Sequence, residues 1–331
     1  MAADKNIQDR PVIGIDLGGT KILAAVVAPG GKIVGRSKAR TQSEEGPDAV
    51  IARMIGCAKG AVQDAKVNQT DIAAVGVGAP GPLDPDEGVI IDTPNMPGWQ
   101  NIPLAAKLSK GLNVPVFVDN DVNMGTFGEF LFGAAKGTKH AVGVFVGTGI
   151  GGGVIIGGEL YHGFNKNAGE IGHMIVKAGG PRCGCGRRGC YEALASKTAI
   201  VRDITVLAGK GKGDKWTREQ FLSGEPVLSS TLKKAVDKGD KMVIKVLRRA
   251  SRYLGIGFGS LINLFGPEVI VVGGGVVEAL GDEFLERARK FAKKYSLPLA
   301  GDNVRIVVAA LGDDAAVLGA AAMAWRRAGA R

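Results

Sequence analysis

PVIGIDLGGTKILAAVVAP, residues 11–29, is the stretch that decides the fold. An apolar run stops at Gly18-Gly19-Thr20 and resumes after Lys21, the pattern of a β-hairpin with a glycine-rich turn. AVGVFVGTGIGGGVIIGGEL, residues 141–160, repeats the plan around Gly147-Thr148-Gly149. Two such hairpins far apart in the chain imply two related half-structures facing each other. Around them strand and helix signals alternate. Helical periodicity over 47–66 precedes a buried strand at 72–78, a proline- and glycine-rich loop at 79–99, a short helix at 103–111 and a strand at 114–118. Further on, helices are expected over 193–207, 227–237, 240–264 and from Gly275 to Lys294, with strands at 268–272 and 304–309. A last helix over 312–327 starts with Asp313 and Asp314 and ends with Arg326 and Arg327, as the helix dipole prefers. This alternation argues for an α/β fold.

The chain has 331 residues, 45% of them hydrophobic, enough for a large core and about two domains. The uncharged run from Ala141 to Gly158 has the length of a membrane span but holds eight glycines, so it reads as strand, turn and strand. The N-terminal MAADKNIQDR has no apolar core, so the expected location is the cytoplasm, away from any membrane. A net charge of +10 would suit a nucleic-acid binder, but the basic residues are spread along the chain and no binding module accompanies them. Solvated helix faces on a protein that handles anionic small molecules are the favoured reading, with no nucleic acid as partner.

Glycine-rich turns let backbone N–H groups approach phosphate oxygens. Gly18, Gly19, Thr20 and Lys21 form one candidate cradle, and Asp16 on the preceding strand is placed to hold Mg²⁺ through water. Gly147, Thr148 and Gly149 form a second. Gly147, Gly149 and Gly152 also match the dinucleotide fingerprint, but a strand follows where that motif needs a helix. Gly273-Gly274-Gly275 lies between a strand and a helix without the full fingerprint, and no P-loop occurs.

Three of the four cysteines, Cys183, Cys185 and Cys190, fall within eight residues, and His173 precedes them by ten. Thiolates plus one imidazole suit tetrahedral, structural Zn²⁺. A disulfide would leave one thiol unpaired or reach to distant Cys57, which sits in the apolar stripe Val50, Ile51, Met54, Ile55, Ala58, Val62 and reads as a core residue. Glu170 and Glu192 flank the cluster, so metal would bring two acids to one place. Phosphoryl transfer to a hydroxyl needs a carboxylate base, and Asp121 follows a strand end beside Asp119 and Asn120. Spacing alone favours helix capping for any one of these three, leaving room for one to cap while another reacts.

Together, IGIDLGGTK (13–21), GAPGPLD (78–84), TPNMPGW (93–99), VDNDVN (118–123), VGTGIGGG (146–153), AGEIGH (168–173), CGCGRRGCYE (183–192) and VIVVGGGV (269–276) resemble the ROK family of repressors, open reading frames and sugar kinases. The resemblance spans nearly the whole chain. It implies an actin-like ATPase (ribonuclease H-like) fold. A smaller α/β domain of residues 1–120 plus 312–331 would face a larger one, 121–311, across a nucleotide cleft. It implies transfer of phosphate from ATP to a hexose, glucose first, with N-acetylglucosamine, N-acetylmannosamine, mannose and fructose as alternatives. Asp121 would be the base. Gly81, Asn95, Asn120, Glu170, His173 and Glu192 would hold the sugar, with one His173 nitrogen on zinc and the other on the sugar. Gly14 to Lys21 and Val146 to Gly153 would hold phosphates, with Gly273, Gly274 and Gly275 near the adenosine. A homodimer or homotetramer is the expected assembly. Sugar-responsive regulators of this family, the alternative reading, carry an added N-terminal helix-turn-helix domain; the first hairpin begins by about Val12, so none is expected here.

Overall fold

Both glycine-turn hairpins open a five-stranded sheet in the computed structural model, which describes residues 7–93 and 96–330. In the first sheet β1 (Val12–Leu17) pairs antiparallel with β2 (Lys21–Ala28), and β2 with β3 (Lys32–Arg40). β4 (Val75–Ala79) adds parallel to β1. After a two-residue ribbon of β5 (Leu83–Asp84) and β6 (Val89–Ile90), β7 (Val116–Asn120) adds parallel to β4. The second sheet repeats this order. β8 (Ala141–Val146), β9 (Ile150–Ile156) and β10 (Glu159–Leu160) are antiparallel, then β11 (Val269–Gly273) and β12 (Arg305–Val308) add parallel on the other side of β8. Three antiparallel strands followed by two parallel ones, twice over, is the expected actin-like, ribonuclease H-like α/β plan.

α1 (Pro47–Ala65) and α2 (Leu104–Leu112) pack on the first half. Val50, Ile51, Met54, Ala58 and Val62 of the expected stripe are buried there together with Cys57, so that cysteine is a core residue. The second half is covered by α4 (Glu192–Ala195), α5 (Lys197–Gly209), α6 (Lys215–Leu222), α7 (Ser229–Asp237), α8 (Lys241–Phe265), α9 (Gly275–Tyr295) and α10 (Pro298–Gly301). Its core gathers Tyr191, Phe258 and Leu261 over Val144 and Val272, each fully buried side chain contributing roughly 1.5–3 kcal/mol.

Two helices exchange halves. α3 (Asp121–Phe132) continues β7 of the first sheet yet lies along β8 and β9 of the second. α11 (Asp314–Gly329) follows β12 of the second sheet and lies along β1 and β4 of the first. The two helices also pack on each other, around Phe127, Met124, Leu318 and Ala321. Backbone touches backbone here. A Cβ at Gly14 or Gly76 would overlap the carbonyl oxygen of Val317 or Ala320, and one at Gly319 would overlap that of Met124. Buried Glu129 of α3 fastens the junction by accepting from the N–H of Ala134 at 2.8 Å and of Leu311 at 2.7 Å.

The structure departs from the sequence expectations at several elements. The strand expected at 72–78 starts only at Val75: Ile72 N–H closes the turn onto Gln69 O, and Ala73 N–H donates to Pro11 O ahead of the strand. The helix expected over 193–207 breaks at Ser196, whose side chain caps α5 through the N–H of Ala199. The helix ending near Lys294 is interrupted at Gly281, where φ is 72°. β3 and α6 carried no expectation.

Gly319→Ala is expected to destabilise the protein by about 1–3 kcal/mol or more, because a packed helix crossing cannot absorb a methyl group. Gly56→Ala, at an exposed mid-helix position with open space around it, is expected to add about 0.5–1 kcal/mol. Urea denaturation midpoints read both.

Candidate active site

The two hairpin turns, the N-terminus of α3 and the start of α9 define one region between the halves. At its centre is Asp121, the first residue of α3. Capping falls to Asn120, whose side-chain oxygen accepts from the N–H of Val122 at 2.9 Å and of Asn123 at 3.2 Å. This answers the capping alternative: Asn120 takes the cap, and Asp121 keeps its carboxylate at the positive end of the helix, with one oxygen also accepting from Val122 N–H at 2.9 Å. Burial pushes the Asp121 carboxyl above the usual carboxylate range, and the charge of Glu170 adds to that.

Asp16, on β1, faces the same space. Burial first, then the Asp121 charge, pushes its carboxyl up to about 7. A buried carboxyl raised further by a neighbouring carboxylate is a place for a positive charge, which fits Mg²⁺ near Asp16. The first turn is built from below: Thr41 donates its hydroxyl to Gly18 O at 2.6 Å and its N–H to Thr20 O at 3.0 Å. A Cβ at Gly19 or Gly147 would enter open space, and neither residue has positive φ. Nothing in the chain itself requires glycine there, as expected of a cradle shaped for a ligand. Gly149 has an internal reason, since a Cβ would run into the Glu192 carboxylate. The second turn is anchored to α5, where Lys197 N–H donates to Gly147 O and the Thr198 hydroxyl to Thr148 O at 2.8 Å. Gly273 pairs with Phe145, and Gly274, at φ 91°, sits against Val146, so Gly273, Gly274 and Gly275 adjoin the second turn. Lys21 is not a free ammonium: its Nζ pairs with Asp313 at 2.7 Å.

Gly81, Asn120 and Glu170 line one hollow with Asp119 and Lys166. Asn95 lies outside the described residues. His173 stands between two environments, with Nδ1 at 3.8 Å from Cys183 Sγ and Nε2 at 3.8 Å from Glu170. Glu192, at the start of α4, places one oxygen 3.5 Å from Cys183 Sγ and accepts from Ile150 N–H with the other at 3.2 Å. It therefore couples the cysteine loop to the second hairpin.

Sequence reading missed the pair beneath the hollow. Asp119 is buried, accepts from Asn120 N–H at 2.7 Å and Asn123 Nδ2 at 3.1 Å, and meets His162 Nε2 at 2.8 Å. The Asp119 carboxylate holds the His162 imidazole above its ordinary pKa. Lys166, four residues on, reaches back to Asp84 and Asp86 of the first half. The available signal was that His162 is one of only three histidines in the chain and sits in the run leading to AGEIGH.

The ligand atoms of His173, Cys183, Cys185 and Cys190 all lie within 4.8 Å of one another. All four cysteines are free, and the Cys185 and Cys190 sulfurs are 3.7 Å apart, too far for a disulfide. Burial pushes the Cys183 thiol up, whereas the N–H of Arg187 draws Cys185 down. Three sulfurs and one nitrogen converging in this way can hold a metal such as zinc.

Twin sheets joined by exchanged helices, with glycine turns facing a carboxylate pair, define an actin-like phosphotransferase frame. The sequence model of the ROK family matches residues 12–327, and the chain belongs to that family. A glucokinase of Thermotoga maritima is 35% identical over 96% of this chain and 98% of its own. A putative xylose repressor of a Caldicellulosiruptor species is 32% identical over 94% of this chain and 77% of its own. The crystal structure of a ROK family glucokinase from Streptomyces griseus in complex with glucose and AMPPNP superposes with a TM-score of 0.80, at 32% identity, covering 96% and 99% of the two chains. Among the described residues no helix is long and apolar enough to cross a membrane.

The purified protein is expected to carry about one zinc per chain, read by elemental mass spectrometry, with Cys185→Ala losing it and Cys57→Ala keeping it. Metal retained in Cys185→Ala would place it elsewhere.

Proposed function

We propose that the protein transfers the terminal phosphoryl group of ATP to the 6-hydroxyl of a hexose, with glucose as first substrate. The observation that carries this is Asp121: a carboxylate raised by burial, spared from capping by Asn120, between two glycine turns and next to the hollow lined by Gly81, Asn120 and Glu170. A glucokinase relative that matches over nearly its whole length and a glucokinase structure holding glucose and AMPPNP support the same reading.

In this mechanism Asp121 accepts the proton of the attacking hydroxyl while Asn120, Glu170, His173 and Glu192, with Gly81 and Asn95, hold the sugar. Gly18 to Lys21 and Gly147 to Gly149 cradle the phosphates with backbone N–H groups, and Gly273 to Gly275 lie beside the adenosine. Asp16 would hold Mg²⁺ through water, and the ion when bound would neutralise charge on the transferred group. Zinc on His173, Cys183, Cys185 and Cys190 would be structural, bracing the loop that aims His173 and Glu192. Closure of residues 1–120 plus 312–331 onto 121–311 would exclude water as a competing nucleophile. A homodimer or homotetramer, which rests on the family resemblance, and a cytoplasmic location, which rests on the polar N-terminal stretch, complete the reading.

Asp121→Asn is expected to lower kcat by about 10²-fold or more, with sugar affinity kept, in an ADP-release assay over glucose, mannose, fructose, N-acetylglucosamine and N-acetylmannosamine. Near-normal turnover in that variant removes Asp121 as base. The base works deprotonated, so turnover falls as pH drops through its raised pKa, and the acid limb stands above the ordinary Asp value of about 4. Because the Glu170 charge adds to that rise, Glu170→Gln should move the limb of kcat, measured at saturating sugar, to lower pH. An unmoved limb separates Glu170 from the base.

A further inference from the structure

Away from the cleft, the second half holds a groove of about 1140 Å³ that shares no lining residue with the candidate active site. Eight of its lining residues are lysine or arginine and two are aspartate. Four of the cations, Lys241, Lys245, Arg248 and Arg252, project from one face of α8. Lys212 comes from the loop after α5, Lys238 from the end of α7 and Arg287 from α9. Among the described residues none of these seven has a carboxylate partner; the eighth, Arg249, pairs with Asp203. All seven are exposed.

The two acids do not neutralise the groove. Asp240 accepts from the N–H groups of Met242, Val243 and Asp214, at 2.8, 3.0 and 2.9 Å, and Asp214 accepts from that of Thr217 at 2.7 Å. Both carboxylates are turned into helix caps. Asp282 and Glu286, bordering the adjoining hollow, are engaged by Arg289. On α8 the spacings Lys241/Lys245, Lys245/Arg249 and Arg248/Arg252 set like charges one turn apart, each costing roughly 0.2–0.5 kcal/mol. Part of the array is also held in place. The guanidinium carbons of Arg252 and Arg287 stand 5.6 and 5.4 Å from the ring centre of Phe291, Arg287 Nε donates to Arg248 O at 3.2 Å, and Lys238 lies 5.2 Å over Trp216.

We propose that this groove binds a compact, multiply phosphorylated anion, such as a short chain of linked phosphoryl groups. Preorganised guanidinium forks and lysine ammoniums on three walls match several phosphate groups close together. Nucleic acid fits less well: the nearby rings Phe291 and Trp216 already carry cations and are not among the groove's lining, and the cations converge on one pocket and form no stripe along which a strand could run.

The test titrates tripolyphosphate calorimetrically into the full-length protein with the cleft already filled by glucose, Mg²⁺ and ADP. One saturable site is expected, weakening as salt is raised. Lys245→Ala/Arg248→Ala should weaken it about tenfold or more through loss of two charge-assisted contacts, while glucose phosphorylation and thermal stability stay unchanged. No binding with the cleft filled, or binding equal in the double variant, overturns the proposal. So does inorganic phosphate binding as tightly, which would mean simple charge screening. A short DNA duplex binding more tightly than tripolyphosphate would assign the groove to nucleic acid instead.

Discussion

The molecule depends on one contact between backbones. α11 rests directly on β1 and β4, and α3 meets α11 with the Met124 carbonyl pressed against Gly319. At the points of backbone contact between these elements the chain places glycine, at Gly14, Gly76, Gly128 and Gly319. Closeness matters because α3 carries Asp121 at its first turn, and α11 begins at Asp314, beside the Asp313 that holds Lys21. An ångström of separation here would move Asp121 and the first glycine turn relative to each other. The same crossing lets the two sheets share one inner core, around Phe127, Met124 and Leu318.

The site is an exercise in dividing labour among neighbours of one type. Asp119, Asn120 and Asp121 are consecutive polar residues at a strand end, and each has a separate partner. Asp119 turns down to His162, Asn120 turns back to its own helix, and Asp121 remains in the cleft. Glu192 likewise serves two loops at once, one oxygen toward Cys183 and the other on the second hairpin. The cysteine loop and the second glycine turn are therefore mechanically one unit.

What was legible in the sequence was what is local in it. The hairpins show because alternation and glycine turns are read within about twenty residues. The thiol cluster shows because its ligands lie within a short segment. The partnerships that complete the site were hidden because they join distant residues: Lys21 to Asp313, Asp119 to His162, Lys166 to Asp84. The break at Ser196 was hidden because both sides of it keep helical apolar spacing, and only the cap reveals it. Charge was misleading in the same way. Lysines and arginines spread along the chain looked like ordinary solvated faces, yet folding collects around one groove seven that have no carboxylate partner among the described residues.

The exchanged helices also bear on how the protein comes into being. During translation the first sheet emerges early, but β1 and β4 present Gly14 and Gly76 to a helix that is synthesised after every other element described. Until α11 leaves the ribosome, that sheet face has no cover, while α3 already awaits strands of the other half. Neither half can mature as an independent vectorial unit. Completion waits for α11, so a nascent chain stalled before α11 presents an open apolar sheet to the cell's chaperones.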